Sequence, residues 1–471
     1  MKLQEKSRTT CPEENLLGPP FVSPWDGRDP GADGRAAESS RRIRVRIGRP
    51  DGTVFDHVFP LPESSSAGYE SFEREIKSLL WLKGGSRVAT DAPAEWRERA
   101  AEEYRAGSRR FDSSVIGEKV FGEPVSFASL EESGGGPSPA ASHRGAGGFY
   151  KGCRIGFDLG GSDRKCAAVK DGEVVFSEEV PWDPYFQKDP AYHWEGIVDS
   201  IERAAKHLPR IDAIGGSAAG IYVNNEPKVG SLFRGVAEAD FDREIRPLFQ
   251  RLSKAYNGVP VEVVNDGEAT ALSAAQGRGL RGVLGIAMGT SMAVGYVDGN
   301  GLLTPWLNEL AFVPVEYHGN APVDEWSGDR GCGAQYFSQQ AVGRLLPWTG
   351  LVYDRGLSLP EQLLLAQEAA EAGHEGVRGM FRTIGVYLAY SILHYQRFYR
   401  FRHLLLLGRV LSGTGGELIR ASSSAKLRGL APRFAEQLRY LEPTEREKRH
   451  GQAIAAASLV PDERIARAFH P

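Results

Sequence analysis

Apolar and polar positions change period repeatedly along the chain, and each change marks a boundary between elements. Ile43 to Ile47 alternates apolar with basic residues, Asp51-Gly52 supplies a turn, and Val54 to Phe59 alternates again, which predicts a hairpin. From Tyr69 to Leu82 the period lengthens. Phe72, Ile76, Leu79 and Leu80 fall on one helical face, and Gly84-Gly85 stops the helix. A short apolar segment follows at Arg87 to Thr90, then a helix from near Pro93 with Glu95, Arg97, Glu102 and Arg105 on its charged face. These elements make a small α/β unit over residues 41–125. Residues 1–40 are rich in Pro, Gly, Ser and charge and read as a disordered tail. Residues 126–150 turn to Gly, Ser, Pro and Ala, the composition of a flexible linker.

Beyond the linker the pattern is that of alternating strands and helices. Ile155 to Val169 reads as a hairpin around Gly160-Gly161-Ser162, and Glu173 to Val180 as a third strand. A helix over His193 to His207 follows, then a buried strand at Ile211 to Gly216 that ends in Ser217-Ala218-Ala219-Gly220. Phe241 to Tyr256 is amphipathic, Val259 to Val264 is a buried strand, and Ala269 to Gln276 is an alanine-rich helix. Then the pattern restarts. Val283 to Met288 and Met292 to Val297 form a hairpin around Gly289-Thr290-Ser291, and a third short strand is expected after the Asp298–Gly301 turn. Helices are expected over Ala334 to Leu346, Glu361 to Ala372 and Gly376 to Arg397, and a strand over His403 to Leu407. Gly413, Gly415 and Gly416 open another helix, Pro432 to Tyr440 forms the next, and Gln452 to Leu459 is a helix of small residues. Two stretches that each open on a hairpin with a glycine-and-hydroxyl turn imply an internal duplication. The halves are residues 151–278 and 279–471, with the C-terminal helix a candidate to return to the first half.

The turns carry the chemistry. Adjacent glycines let backbone N–H groups approach a ligand, and a nest of such groups suits an anionic oxygen. Asp158 stands where its strand enters the first turn. A carboxylate beside a phosphate is repulsive unless a cation bridges them, so Asp158 is read as facing Mg²⁺ through water. Asp266 follows Asn265 at the end of a buried strand, where ligands bind in open α/β sheets. It also stands at a helix start, where an aspartate often serves as N-cap.

The stretch from Ile155 to the C-terminus resembles the superfamily of sugar kinases, actin and heat-shock-chaperone ATPases, and within it the ROK family. Ile155 to Val169 resembles the first phosphate loop and Gly289-Thr290-Ser291 the second. Leu406-Leu407-Gly408 with Ser412-Gly413-Thr414-Gly415-Gly416 resembles the adenosine-binding strand, loop and helix. Val264-Asn265-Asp266-Gly267-Glu268-Ala269 resembles the segment whose Asp is the catalytic base and whose Asn binds sugar. The resemblance implies a duplicated ribonuclease-H-like, actin-type α/β fold with two domains around a nucleotide cleft, plus the small N-terminal unit. It implies ATP and Mg²⁺ as cofactors, a carbohydrate acceptor and a homodimer. It assigns Asp266 as base. It gives Asp158, Gly160, Gly161, Ser162, Lys165, Gly289, Thr290, Ser291, Gly408, Gly413, Gly415 and Gly416 to the nucleotide, and Asn265, Gly220 and Glu309 to the sugar.

The match fails at two places. Asn308-Glu309-Leu310-Ala311-Phe312 corresponds to Gly-Glu-Ile-Gly-His, so Phe312 stands where the family has a histidine that contacts sugar and ligates zinc. Of the family's Cys-Gly-x-x-Gly-Cys-Leu-Glu segment only Cys332 remains among the thiols, and Ala334 replaces the sugar-binding Glu. A single thiolate cannot hold a structural zinc, so no zinc is expected. The neighbouring Asp324, Glu325 and Asp329 are either a solvated loop or a remodelled acceptor pocket.

Composition narrows the readings little further. The 471 residues carry a net charge of −4, with 41% hydrophobic and 25% charged residues, which points to neither nucleic acid nor an anionic membrane as partner. The four cysteines, Cys11, Cys153, Cys166 and Cys332, form no CxxC pair and fit a reduced, cytoplasmic protein. No apolar run is long enough to span a bilayer, and no signal-peptide core is expected. An ATP-dependent carbohydrate kinase is the first reading. A non-catalytic, carbohydrate-sensing or regulatory relative that binds ATP without turnover is the second. An activator ATPase of the type that serves benzoyl-CoA-like reductases, suggested by Lys165 three residues after Ser162, ranks last because the chain lacks paired cysteines for an iron–sulfur cluster.

Overall fold

Two mixed sheets of one topology form the frame. In the computed structural model, which describes residues 16–24, 42–60, 65–133, 147–444 and 450–469, strands are numbered along the chain. The N-terminal unit has β1 (Arg42–Gly48), β2 (Val54–Pro60), helix α1 (Ser65–Lys83), β3 (Arg87–Thr90), helix α2 (Ala94–Ala106) and β4 (Ser126–Ser129). Its sheet runs β2-β1-β3-β4. The first half has β5 (Cys153–Leu159), β6 (Asp163–Lys170), β7 (Glu173–Pro181), α3 (Pro190–Ala205), β8 (Ala213–Ala218), β9 (Ile221–Val223), β10 (Glu226–Val229), α4 (Leu248–Ala255), β11 (Val261–Asn265) and α5 (Asp266–Gly277). The second half has β12 (Val283–Met288), β13 (Met292–Val297), α6 (Gln339–Leu345), α7 (Leu359–Glu371), α8 (Glu375–Tyr395), β14 (His403–Leu407), α9 (Gly413–Leu430) and β15 (Arg439–Leu441).

The main sheets are ordered β11-β8-β5-β6-β7 and β15-β14-β12-β13 when both are read in one direction. In each, a hairpin is antiparallel (β5 with β6, β12 with β13) and the later strands add in parallel on the side of its first strand. The second half lacks only a partner for β7. This is the internal duplication that the paired hairpins imply.

The C-terminal helix α10 (Gln452–Ala457) crosses back onto the first sheet, where glycines leave room for it. Gly156 on β5 and Gly215 on β8 face its backbone, and a methyl group at either would overlap the carbonyl oxygens of Ala453 and Ala456. Its Ala453, Ala455, Ala456 and Ala457 are buried. Small residues on both sides allow the close approach.

Several expectations need correction. The N-terminal unit does not stand apart. Ile43, Phe72, Ile76, Leu79 and Trp81 share one continuous apolar core with Leu284, Leu310, Tyr336 and Phe381 of the second half. Part of the supposed tail is packed as well: Phe21 is 2% exposed, lies against Tyr387 at 4.6 Å, and Leu17 donates its N–H to the Thr383 hydroxyl. The rest of residues 1–40 apart from Leu16–Pro24 lies outside the described residues. The linker cannot begin at residue 126, because Ser126–Ser129 pairs in parallel with Arg87–Thr90. Residues 134–146, within the supposed linker, also lie outside the described residues.

Phe241 to Tyr256 is two pieces, a wide turn at Phe241–Ile245 and then α4, because Pro247 lacks the N–H a continuous helix needs. The third strand after Asp298 shrinks to a single bridge between Val297 and Leu303. The helix at Pro432 ends at Gln437, and Arg439–Leu441 extends the second sheet instead.

Overpacking a helix-on-sheet contact costs about 1–3 kcal/mol. Gly156→Ala should therefore lower the urea midpoint and displace α10. Gly299→Ala, where an added methyl meets nothing within 4 Å, should leave the midpoint unchanged in the same equilibrium unfolding experiment.

Candidate functional site

The first phosphate-loop candidate is built by cross-strand register. Asp158 on β5 pairs with Lys165 on β6 and with Ser217 on β8, so the three side chains share one face. The Ser217 hydroxyl donates to Asp158 Oδ1, and Lys165 Nζ lies 3.7 Å from Asp158 Oδ2 and 2.9 Å from Asp163 Oδ1. Burial pushes the Asp158 carboxyl up to about 6, against the pull of Lys165 and Ser217. The turn is closed by Gly160 N–H donating to Asp163 O at 2.9 Å and is gripped from outside by Trp182. Its indole N–H donates to Gly160 O at 2.8 Å, and its backbone N–H to Ser162 O at 3.1 Å. Tyr185 lies against Gly161, and the Arg234 guanidinium stacks on the Tyr185 ring at 4.0 Å. The hairpin pattern does not reveal these three side chains, since each comes from an irregular segment.

The second turn is simpler. Gly289 N–H donates to Ser291 O at 2.9 Å, and Gln339 N–H donates to Gly289 O at 2.9 Å. Thr290 and Ser291 are exposed, and neither hydroxyl has a partner among the described residues. Beside this turn β14 ends at Gly408, whose φ of +104° and contact with the Met288 backbone exclude a side chain. Next to it opens a cavity of about 620 Å³, lined by Leu407, Gly408, Ser412 and Gly413 of the second half, and by Thr270 and Gln452 from the helices α5 and α10 that cover the first. Gly415 and Gly416 do not line it. They make room for the Phe381 ring and the Leu411 backbone, so they serve packing.

Asp266 is the first residue of α5, but it is not the cap. Asn265 is: its Oδ1 accepts from Gly267 N–H at 2.7 Å, and Glu268 Oε2 accepts from Asn265 N–H at 3.3 Å. Asn265 Nδ2 donates to Gly220 O at 2.8 Å. Asn265 and Gly220 are thus spent on holding the strand end, and Gly220 has no room for a side chain beside Val229 O. Asp266 keeps its carboxylate nearly free. It accepts from the neighbouring Gly267 N–H at 3.0 Å, and burial raises its pKa above the ordinary range. Its charge reaches Asp158, Tyr222 and Glu309. The Tyr222 hydroxyl is buried without a hydrogen-bond partner among the described residues, and no sequence pattern marks it.

Glu309 and Glu268 complete an acidic cluster around Asp266. Burial pushes each carboxyl up to about 8, with the other carboxylates adding to the effect. Glu268 Oε1 accepts from Asn308 Nδ2 at 3.2 Å, and Asn308 Oδ1 accepts from the Tyr399 hydroxyl at 3.1 Å. Asp324 does not join this cluster. Its Oδ2 accepts from Ser327 N–H and Oγ, both at 2.7 Å, and so shapes a turn. Asp329 is taken up by ion pairs with Arg74, Lys77 and Arg109. Glu325 is exposed. Phe312 stacks on Trp81 at 4.2 Å. Among the described residues no three His, Cys, Asp or Glu side chains are grouped as metal ligands, and no helix is long and apolar enough to cross a membrane. Cys153, Cys166 and Cys332 are buried free thiols.

No protein-family model matches the chain. Over 239 residues, 48% of this chain and 68% of the relative, it is 28% identical to a glucokinase of Streptomyces coelicolor. Among solved structures it is similar to the ROK hexokinase of Thermus thermophilus, at 18% identity and a TM-score of 0.49 over 65% of this chain and 96% of that one. A ROK family glucokinase of Streptomyces griseus, solved with glucose and AMPPNP, gives 21% identity and a TM-score of 0.46 over 65% and 98%. The glucokinase relative, matched over about half of this chain, agrees with the resemblance drawn from the motifs.

The acidic cluster has a consequence for stability. A glutamate with a pKa near 4.5 unfolded and about 8 folded binds more protons in the folded state between those values. Stability therefore falls as pH rises through that window. Glu309→Gln should raise the melting temperature at pH 8.5 and leave it nearly unchanged at pH 4.5, as read by thermal unfolding across pH.

Proposed function

We propose that the chain transfers the γ-phosphoryl group of ATP to a hydroxyl of a carbohydrate. The observation that carries this is the nearly uncommitted carboxylate of Asp266. Asn265 takes the capping role, so Asp266 stands at the head of α5 with a single hydrogen bond, from Gly267 N–H, in the field of Asp158 and Glu309. Phosphoryl transfer to an alcohol needs a positioned base and held phosphates, and little else from the protein. In this reading the adenosine enters the cavity beside Gly408 and Gly413. The N–H groups of the two turns, Gly160–Ser162 and Gly289–Ser291, take the phosphates, with Lys165 and the Thr290 and Ser291 hydroxyls beside them.

Asp158 is buried with the Ser217 hydroxyl on one oxygen and Lys165 Nζ 3.7 Å from the other, and its carboxylate would hold Mg²⁺ through water. Bound there, the ion supplies neutralisation of phosphate charge. Asp266 accepts the proton of the acceptor hydroxyl as its oxygen bonds to phosphorus, and ADP leaves with the broken P–O bond. Glu309 is the remaining carboxyl of the acceptor side and binds a hydroxyl of the sugar. A cytoplasmic location and a homodimer go with this reading.

The second reading, ATP binding without turnover, is favoured by Phe312, whose ring is packed on Trp81 where a polar sugar contact would stand. One experiment separates the two. With Mg-ATP and pools of sugars and amino sugars, wild type should release ADP in an acceptor-dependent way. Asp266→Asn should lower that rate by about 10²–10⁴-fold while ATP affinity by calorimetry stays within about twofold. If no pool raises ADP release from wild type while ATP still binds, the chain is a sensor and the kinase reading fails.

A further inference from the structure

The four carbonyls at the end of α1 have unusual partners. A helix leaves its last carbonyls without intrahelical donors. Here Leu80 O accepts from Gly84 N–H at 2.9 Å, and Lys83 O accepts from Arg49 Nη2. The two between them accept from the second half: Trp81 O from Glu309 N–H and Leu82 O from Asn308 N–H, each at 3.1 Å. The segment bearing Glu309 is therefore the cap of a helix in the N-terminal unit. Asn308 takes a left-handed backbone, φ +57°, to make the turn.

The same helix seats the second loop of the acceptor side. Trp81 stacks on Phe312 at 4.2 Å, and its indole N–H donates to Asp112 Oδ1 at 2.6 Å. Asp112 pairs with Lys77 at 3.1 Å, and Lys77 with Asp329 at 2.8 Å. Arg74 donates to Asp329 Oδ2 and to Arg330 O, at 2.7 and 3.2 Å. Asn308–Phe312 and Asp329–Cys332 thus rest on one face of one helix, and Cys332 Sγ approaches Asp329 Oδ2 at 3.8 Å.

We infer that the N-terminal unit is the positioning element of the acceptor site, with α1 fixing Glu309 through its own C-terminal carbonyls and the Trp81–Phe312 stack. This rests on the kinase reading for what the site binds, but not for the positioning itself. Trp81 and Lys77 are fully buried and so act through Glu309 and Asp329, and among the described residues the nucleotide side shares none of these contacts.

The test uses the full chain carrying Trp81→Leu and, because a large buried ring is lost there, separately Asp112→Ala, which leaves the ring in place and removes the acceptor for the indole and for Lys77. Hydrogen exchange should rise about tenfold or more over residues 306–333 in both variants and stay unchanged over 403–420, with the chain still folded by circular dichroism. The Michaelis constant for the acceptor sugar should rise at least tenfold, and that for ATP should move less than twofold. Exchange rising equally on the nucleotide side, or not at all over 306–333, overturns the inference. If wild type uses no acceptor, the kinase reading falls, and the exchange result still decides whether α1 positions the loops.

Discussion

Asp329 is enclosed by Arg74 and Lys77 of α1 and by Arg109, which follows α2. Glu73 and Asp112 balance the remaining charge. Three cations and three carboxylates are buried together, and removing one of them would leave an uncompensated charge at a cost of about 3–5 kcal/mol. An apolar replacement of the whole set could be as stable, so the cluster is better understood as a register device. It matches α1 to one loop of the second half and to no other surface. The Glu309 backbone and the Phe312 ring rest on the same helix.

This explains what the sequence could and could not show. The hairpins, β8, β11 and α5 are legible because local period and turn chemistry determine them, and Asn265-Asp266 is legible because it ends a buried strand. The merger of the N-terminal unit with the second half is not. Arg74, Lys77 and Asp329 look like surface charges when read singly, since their pairing spans some 250 residues of chain. Asp324 and Glu325 seemed equal candidates for the same reason: no local pattern tells an aspartate that caps its own turn from one that faces solvent. Ser126–Ser129 reads as linker by composition, yet β3 offers an unpaired edge, and four residues suffice to cover it. Phe312 and Ala334 were legible as losses. The Trp81 ring on which Phe312 stacks comes from a part of the chain that no motif connects to the site.

The division between Asn265 and Asp266 shows how two adjacent polar residues at a helix start acquire different roles. The Asn carries the capping box, including the reciprocal bond with Glu268, and it ties the helix to the Gly220 carbonyl. The strand end cannot move without breaking all of these. Asp266 is thereby fixed in space by its neighbour while its own oxygens stay nearly uncommitted. A base needs both properties at once, a fixed position and an unused lone pair. A single residue cannot supply both when its side chain also serves as the cap.

The two sides of the cleft are held by different means, and this has a mechanical meaning. The cavity beside Gly408 has walls from both halves, through Thr270 and Gln452 on one side and Gly408 and Gly413 on the other. The acceptor loops are instead fastened to the N-terminal unit, which shares the core of the second half. Asp266 belongs to the first half and Glu309 to the second. On the kinase reading, closing the halves would change the spacing of base and acceptor ligand without disturbing either local geometry.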